Sequence, residues 1–115
     1  MNNKDNTIFL RHILDSIGKI GRYLQNFNFE KFKNDEVKID AVVRNVEIIG
    51  EASSNLTRDF RAKNTSVEWR KIIATRNRII HGYATVDLEI IWNITQKDLG
   101  NLKTEIEKIL EKIEK

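Results

Sequence analysis

The sequence predicts an all-α protein, an antiparallel up-and-down four-helix bundle, in a single domain over residues 1–115. Three observations point there. The 115 residues include no proline and only five glycines, so the chain holds few helix breakers. Apolar residues recur with a period of about 3.6 over four long segments. Short connections separate these segments, which folds consecutive helices back on one another. A chain of this length supports one modest core and not two.

The first helix is expected from about Thr7 to Leu24, with Phe9, Ile13, Ile17, Ile20 and Leu24 on one stripe. Asn26-Phe27-Asn28-Phe29 breaks the period, and Phe27, Phe29 and Phe32 are expected to tuck this connection under the bundle. The second helix is expected from Asp35, a good N-cap residue, to Phe60. Val42, Val46, Ile49, Ser53, Leu56 and Phe60 form its inward stripe. Gly50 lies inside this helix, where glycine costs up to ~1 kcal/mol relative to alanine, so another helix is expected to approach closely there. The third helix follows Asn64-Thr65-Ser66, with Ser66 as N-cap, and runs to about Ile80 before stopping near Gly82. The fourth follows Asp87, a further N-cap, and continues to the C-terminus. Leu88, Ile91, Trp92 and Thr95 lead into Leu99, Leu102, Ile106, Ile109 and Ile113. The last five are spaced like heptad a and d positions, which suits packing on a partner subunit as well as on the bundle itself, although a bundle core alone explains the same spacing.

Several function classes are excluded. There is no cysteine, so disulfides and thiolate metal sites are ruled out, and no oxidising compartment is needed. Two histidines far apart, His12 and His81, make a zinc site improbable, and His12 is expected at the surface. No glycine-rich phosphate loop, nucleophile elbow around Ser53-Ser54, or haem or flavin ligand set is present, and no cofactor is expected. No apolar run approaches ~20 residues and the start, Met1-Asn2-Asn3-Lys4-Asp5-Asn6, is polar. A cytoplasmic protein that does not enter the membrane is the expectation. The net charge of +3 is unevenly placed. Between Arg58 and Arg78 stand seven basic residues (Arg58, Arg61, Lys63, Arg70, Lys71, Arg76, Arg78) against Asp59 and Glu68. A basic middle suits a polyanion such as RNA, although a solvated helix face explains the same charges.

The third helix carries the chemistry. Its inward stripe reads Trp69, Ile72, Ile73, Arg76, Ile80, Tyr83, and Arg76 stands where the pattern calls for a hydrophobe. A guanidinium keeps its proton and is costly to bury unpaired. It must meet a carboxylate or line a cleft that receives an anion. Glu47 and Glu51 on the second helix, with Arg44 one turn before Glu47, are the carboxylates the pattern offers. The first outcome merely fixes helix register; the second makes a site. His81 comes five residues after Arg76, an advance of about 140° on a straight helix, so the two share no face unless a helix end near Gly82 lets His81 turn. Tyr83 then lies two turns above Arg76. A histidine, ordinarily titrating near neutrality, suits acid–base work on a phosphodiester, though it serves equally as a helix C-cap.

The run Arg76-Asn77-Arg78-Ile79-Ile80-His81-Gly82-Tyr83 resembles the signature of the HEPN superfamily, an arginine followed after four to six residues by histidine, with the tyrosine two residues on that marks the HepT-like branch. Other blocks also look like that branch in the same order: Arg11–Ile17, Arg44–Ala52, Trp69–Ile73 and Val86–Trp92. The resemblance covers nearly the whole chain. It implies a HEPN-like helical bundle and a metal-independent endoribonuclease toxin, in which the ribose 2′-hydroxyl attacks the adjacent phosphate. Arg76 would stabilise phosphate charge, His81 would serve as general acid or base, and Asn77 would position the pair. Arg70, Lys71 and Arg78 would supply phosphate contacts to RNA. The resemblance further implies a homodimer with two motifs across one cleft, and a nucleotidyltransferase antitoxin that transfers AMP to Tyr83. The other reading is a non-catalytic HEPN partner subunit of such a nucleotidyltransferase, binding a nucleotide or RNA without cutting.

Overall fold

The computed structural model describes residues 3–81 and 87–114, with side chains over residues 5–79 and 87–114. Every regular element among them is helical: α1 (Asn3–Tyr23), α2 (Phe29–Lys33), α3 (Glu36–Asn55), α4 (Arg58–Lys63), α5 (Trp69–His81), α6 (Leu88–Asn93) and α7 (Leu99–Ile113), with one π turn (Ile94–Asp98) joining the last two. The long helices α1, α3, α5 and α6–α7 are the four expected. No helix among the described residues is long and apolar enough to cross a membrane.

Their directions follow from a few contacts. Asn6, near the start of α1, accepts a 3.2 Å hydrogen bond from the backbone N–H of Thr57, just past the end of α3, so α1 and α3 are antiparallel. At this same end the rings of Phe60 and Trp69 lie 6.4 Å apart, which places the start of α5 beside the end of α3. At the opposite end Phe32 of α2 meets Trp92 at 5.5 Å, so α6 packs on the turn that follows α1. Arg11 and Glu114 pair at 2.7 Å and bring the end of α7 back to the start of α1. The chain therefore runs up, down, up and down. Helix α3 packs on both α1 and α5, and α1 packs on α7.

The core is made by stripes close to those expected, with informative shifts. In α1 the buried set is Leu10, Ile13, Ile17 and Ile20, continued by Leu24; Phe9 is half-buried and lies against the exposed His12. The helix begins at Asn3 rather than Thr7, because Asn6 is drawn in by its contact with Thr57. Asn26 takes a positive φ of 64°, which asparagine tolerates, and Asn28 caps α2 by accepting from Lys31 N. This turn buries Phe32 completely and leaves Phe27 and Phe29 half-buried.

The expected second helix is two helices. Asp35 does cap α3, accepting from Lys38 N at 3.0 Å. The chain then becomes extended at Leu56 and restarts with Thr57 as a cap, its hydroxyl accepting from Phe60 N at 3.1 Å. Leu56 and Phe60 both stay buried, because the break re-aims the chain while the apolar spacing is kept. Ser66 is not the N-cap of the next helix. Val67 is buried, the Trp69 indole donates to the carbonyl of Asn64 at 3.0 Å, and this anchored turn delays α5 to Trp69.

The last helix is capped by Asp87 as expected, accepting from the backbone of Glu89 and Ile90, but it is not continuous. The π turn inserts an extra residue between Trp92 and Leu99 and so brings both onto the bundle. The seam Leu99, Leu102, Ile106 and Ile109, with Leu110 beside it, is buried within this single chain, and Ile113 is half-buried. Those five apolar positions are thus filled against this chain's own bundle.

Candidate active site

Helix α5 crosses α3 at Gly50. A Cβ placed on Gly50 would collide with the Cβ of Arg76 and lie 2.7 Å from its Cγ. The glycine inside α3 is thus explained: the missing side chain is the space that the stem of Arg76 occupies. Arg76 is half-buried, and its position on the inward stripe of α5 is as expected.

Its expected partner is not there. Among the described residues Arg76 forms no ion pair with Glu47 or Glu51. Glu47 lies 3.8 Å from Arg44, one turn earlier on its own helix, and Glu51 is exposed. Instead Nη1 of Arg76 donates to Oδ1 of Asn77 at 3.2 Å, and among the described residues Nε is buried without a hydrogen-bond partner. Asn45 Oδ1 and Arg61 Nε share that condition, but neither belongs to α5. Of the two outcomes open for a guanidinium at this position, the register-fixing pair is absent. A cation with a buried donor unpaired among the described residues remains, which fits the second outcome, a group open to an anion.

Asn77 also changes the relation between Arg76 and His81. Helix α5 runs through His81, and the helix end expected near Gly82 lies outside the described residues. Asn77 and His81 stand four residues apart, within about 40° of each other around the helix. The hydrogen bond from Arg76 to Asn77 draws the guanidinium toward the face on which His81 stands. The side chain of His81, and all of Gly82 and Tyr83, lie outside the described residues. Ile79 is in the core at 4 % exposure, a residue the expected stripe omitted in favour of Ile80, whose side chain is likewise outside the described set.

The three basic residues proposed for RNA fall on two faces. Arg70 precedes Asn77 by seven residues and so shares the stripe of Asn77 and His81 to within about 20°. Lys71 and Arg78 form a separate stripe about 100° away. All three are exposed, and none is held in an ion pair among the described residues. Lys71 borders a cavity of about 230 Å³ between α3, α5 and the π turn with α7, where the other charged residues are Glu68, Asp98 and Glu105. That acidic company disfavours a phosphate. The cavity has an apolar floor of Val46, Ile49, Ile72, Leu99 and Leu102, and Arg76 and Asn77 do not line it. Sequence reasoning missed the pairing of Gly50 with Arg76, since a single glycine names no partner.

Comparison with known proteins gives a consistent picture. The family described as "Ribonuclease HepT-like" matches residues 13–109. A protein of Methanocaldococcus jannaschii, described as a gamma-glutamylcyclotransferase and candidate RNase, is 40% identical over 112 residues. That alignment covers 97% of this chain and 50% of the relative, so the chain spans half the length of that protein. A candidate RNase of Caldanaerobacter subterraneus subsp. tengcongensis is 38% identical over 104 residues, covering 90% of this chain and 93% of the relative. A protein of Thermococcus cleftensis named "Probable ribonuclease HepT" is 35% identical over 101 residues, covering 88% and 92%. No solved structure gives a significant match.

Proposed function

Because the chain belongs to the ribonuclease HepT-like family, we propose that it is a metal-independent endoribonuclease toxin with Arg76, Asn77 and His81 at its active site. The observation that carries this reading is the half-buried Arg76, which among the described residues has no carboxylate partner and a buried, unused Nε–H. Its guanidinium is held by Asn77 on the side of α5 that bears His81.

The reaction this set suits is internal transesterification of RNA. The ribose 2′-oxygen bonds to the adjacent phosphorus and the P–O5′ bond breaks. A base takes the 2′-hydroxyl proton and an acid returns one to the departing 5′-oxygen, leaving a 2′,3′-cyclic phosphate and a 5′-hydroxyl. Arg76 offsets the charge that accumulates on the non-bridging oxygens, where a fixed donor in a partly dry site acts more strongly than in water. His81 exchanges a proton with one of the two oxygens. A second histidine, from a second copy of the chain, would serve the other, which is the chemical reason to propose a homodimer with paired motifs. Arg70 extends the same stripe and contacts a neighbouring phosphate.

Tyr83 is the proposed point of control. AMP transferred to its hydroxyl by a nucleotidyltransferase antitoxin adds bulk and negative charge two residues from His81, which repels the RNA backbone. A cytoplasmic location goes with this pairing. The second reading, a non-catalytic partner that binds a nucleotide or RNA, is favoured by the same free guanidinium, since binding a phosphate requires no proton transfer.

The test is incubation of the protein, shown by mass to carry an unmodified Tyr83, with labelled single-stranded RNA in excess chelator. Cleavage leaving a 2′,3′-cyclic phosphate supports the ribonuclease. RNA that is bound and left intact supports the partner subunit.

A further inference from the structure

We infer that Gly50, on α3, is a positioning residue for Arg76, fixing where the guanidinium meets phosphate; this rests on the reading of Arg76 as a phosphate-binding group. Two glycines elsewhere in the long helices show what an incidental glycine looks like. A Cβ built on Gly21 or Gly100 meets nothing within 4 Å. At Gly50 it would overlap the Cβ of Arg76 and approach Cγ to 2.7 Å, with the Arg76 Cα 3.5 Å away. All three nearest atoms belong to one residue of another helix, and among the described residues that residue, like Arg61, has a buried Nε without a partner.

The consequence is geometric. The Cβ–Cγ stem of Arg76 is held against the bare backbone of α3, so its direction is set before the guanidinium begins. Nη1 is then tied by Asn77. These two restraints, one at each end of the side chain, narrow the positions open to the guanidinium. Adding a methyl at Gly50 forces the Cγ of Arg76 to move by about 0.7 Å merely to reach the 3.4 Å of ordinary contact, and the overlapping Cβ demands more. A shift of about 1 Å in a positioned catalytic group can lower turnover by ~100-fold.

The experiment compares wild type, Gly50→Ala, Gly21→Ala and Gly100→Ala. Far-UV circular dichroism and thermal melting establish folding. The Nε–Hε resonance of Arg76, assigned by its loss in Arg76→Lys, is followed in ¹H–¹⁵N spectra during titration with inorganic phosphate. RNA cleavage is measured well below the melting temperature, with kcat and KM separated. We expect Gly50→Ala to remain helical, to lose at least 10-fold in phosphate affinity at that resonance, and to fall at least 10-fold in kcat with KM changed far less. The two control alanines keep the wild-type response. A folded Gly50→Ala that retains the phosphate-induced shift overturns the inference, because a purely structural glycine moves stability and not this signal. If Gly50→Ala fails to fold, Arg76→Gly is combined with it. Recovered folding supports the contact, and continued unfolding overturns it. The phosphate titration stands apart from catalysis, so a protein that cuts no RNA but shows the shift and its loss separates failure of the ribonuclease reading from failure of this one.

Discussion

Methionine at position 76 keeps the Cβ and Cγ that lie over Gly50 and removes everything that hydrogen-bonds. The buried Nε, unpartnered among the described residues, gives the expected sign of its effect on stability. A buried N–H without a partner costs ~1–3 kcal/mol, and Nε of Arg76 is such a group. The bond from Nη1 to Asn77 is exposed, so its loss costs no more than ~1 kcal/mol. Arg76→Met should therefore stabilise the fold by about 1 kcal/mol. For a domain of this length that raises Tm by roughly 3–6 °C. The same change should abolish RNA cleavage, since methionine can neither hold a phosphate nor offset its charge. Thermal and urea denaturation at one fixed protein concentration, beside the cleavage assay, reads both effects; the concentration is held because a dimer would make Tm depend on it. Had Arg76 been paired with Glu47 or Glu51, breaking a buried pair would cost ~3–5 kcal/mol. A Tm that falls by several degrees in Arg76→Met would refute the unpaired guanidinium and restore the register-fixing role.

Other consequences can be checked with single substitutions. Gly21→Ala and Gly100→Ala should each raise stability by up to ~1 kcal/mol in urea denaturation, since both lie in helices with open space at Cβ. Thr57→Ala removes the cap of α4 and a contact of Asn6, and should cost ~1–2 kcal/mol by the same measurement while leaving the catalytic groups in place. Arg70→Ala should lower kcat/KM for RNA several-fold more than Arg78→Ala, and should flatten its salt dependence, because only Arg70 shares the stripe of Asn77 and His81. Equal effects from both would place the RNA across the wrong face of α5.

Much of this was legible from periodicity. The four long helices, the caps at Asp35 and Asp87, and the inward place of Arg76 all follow from spacing and local chemistry. The departures have a common cause, which is that tertiary contacts decide where an element stops. Leu56 breaks the second helix because the next turn is captured by Thr57 and Asn6. Val67 and Trp69 hold a turn that Ser66 would otherwise have capped. Neither partner is visible from the local sequence. The carboxylate partner expected for Arg76 failed for a similar reason: pattern places Glu47 and Glu51 nearby but does not show that the guanidinium stem sits on Gly50, with Asn77 taking the head group. Glycine was readable as a close approach and unreadable as to what approached.

The site as proposed stands on two residues acting on one phosphodiester. The most direct test is the single-turnover cleavage rate of Arg76→Ala and of His81→Ala against wild type, on the same RNA in excess chelator, with both variants shown to be folded. Loss of at least ~100-fold in each is the predicted result. A folded variant of either residue that cuts at close to the wild-type rate would contradict it.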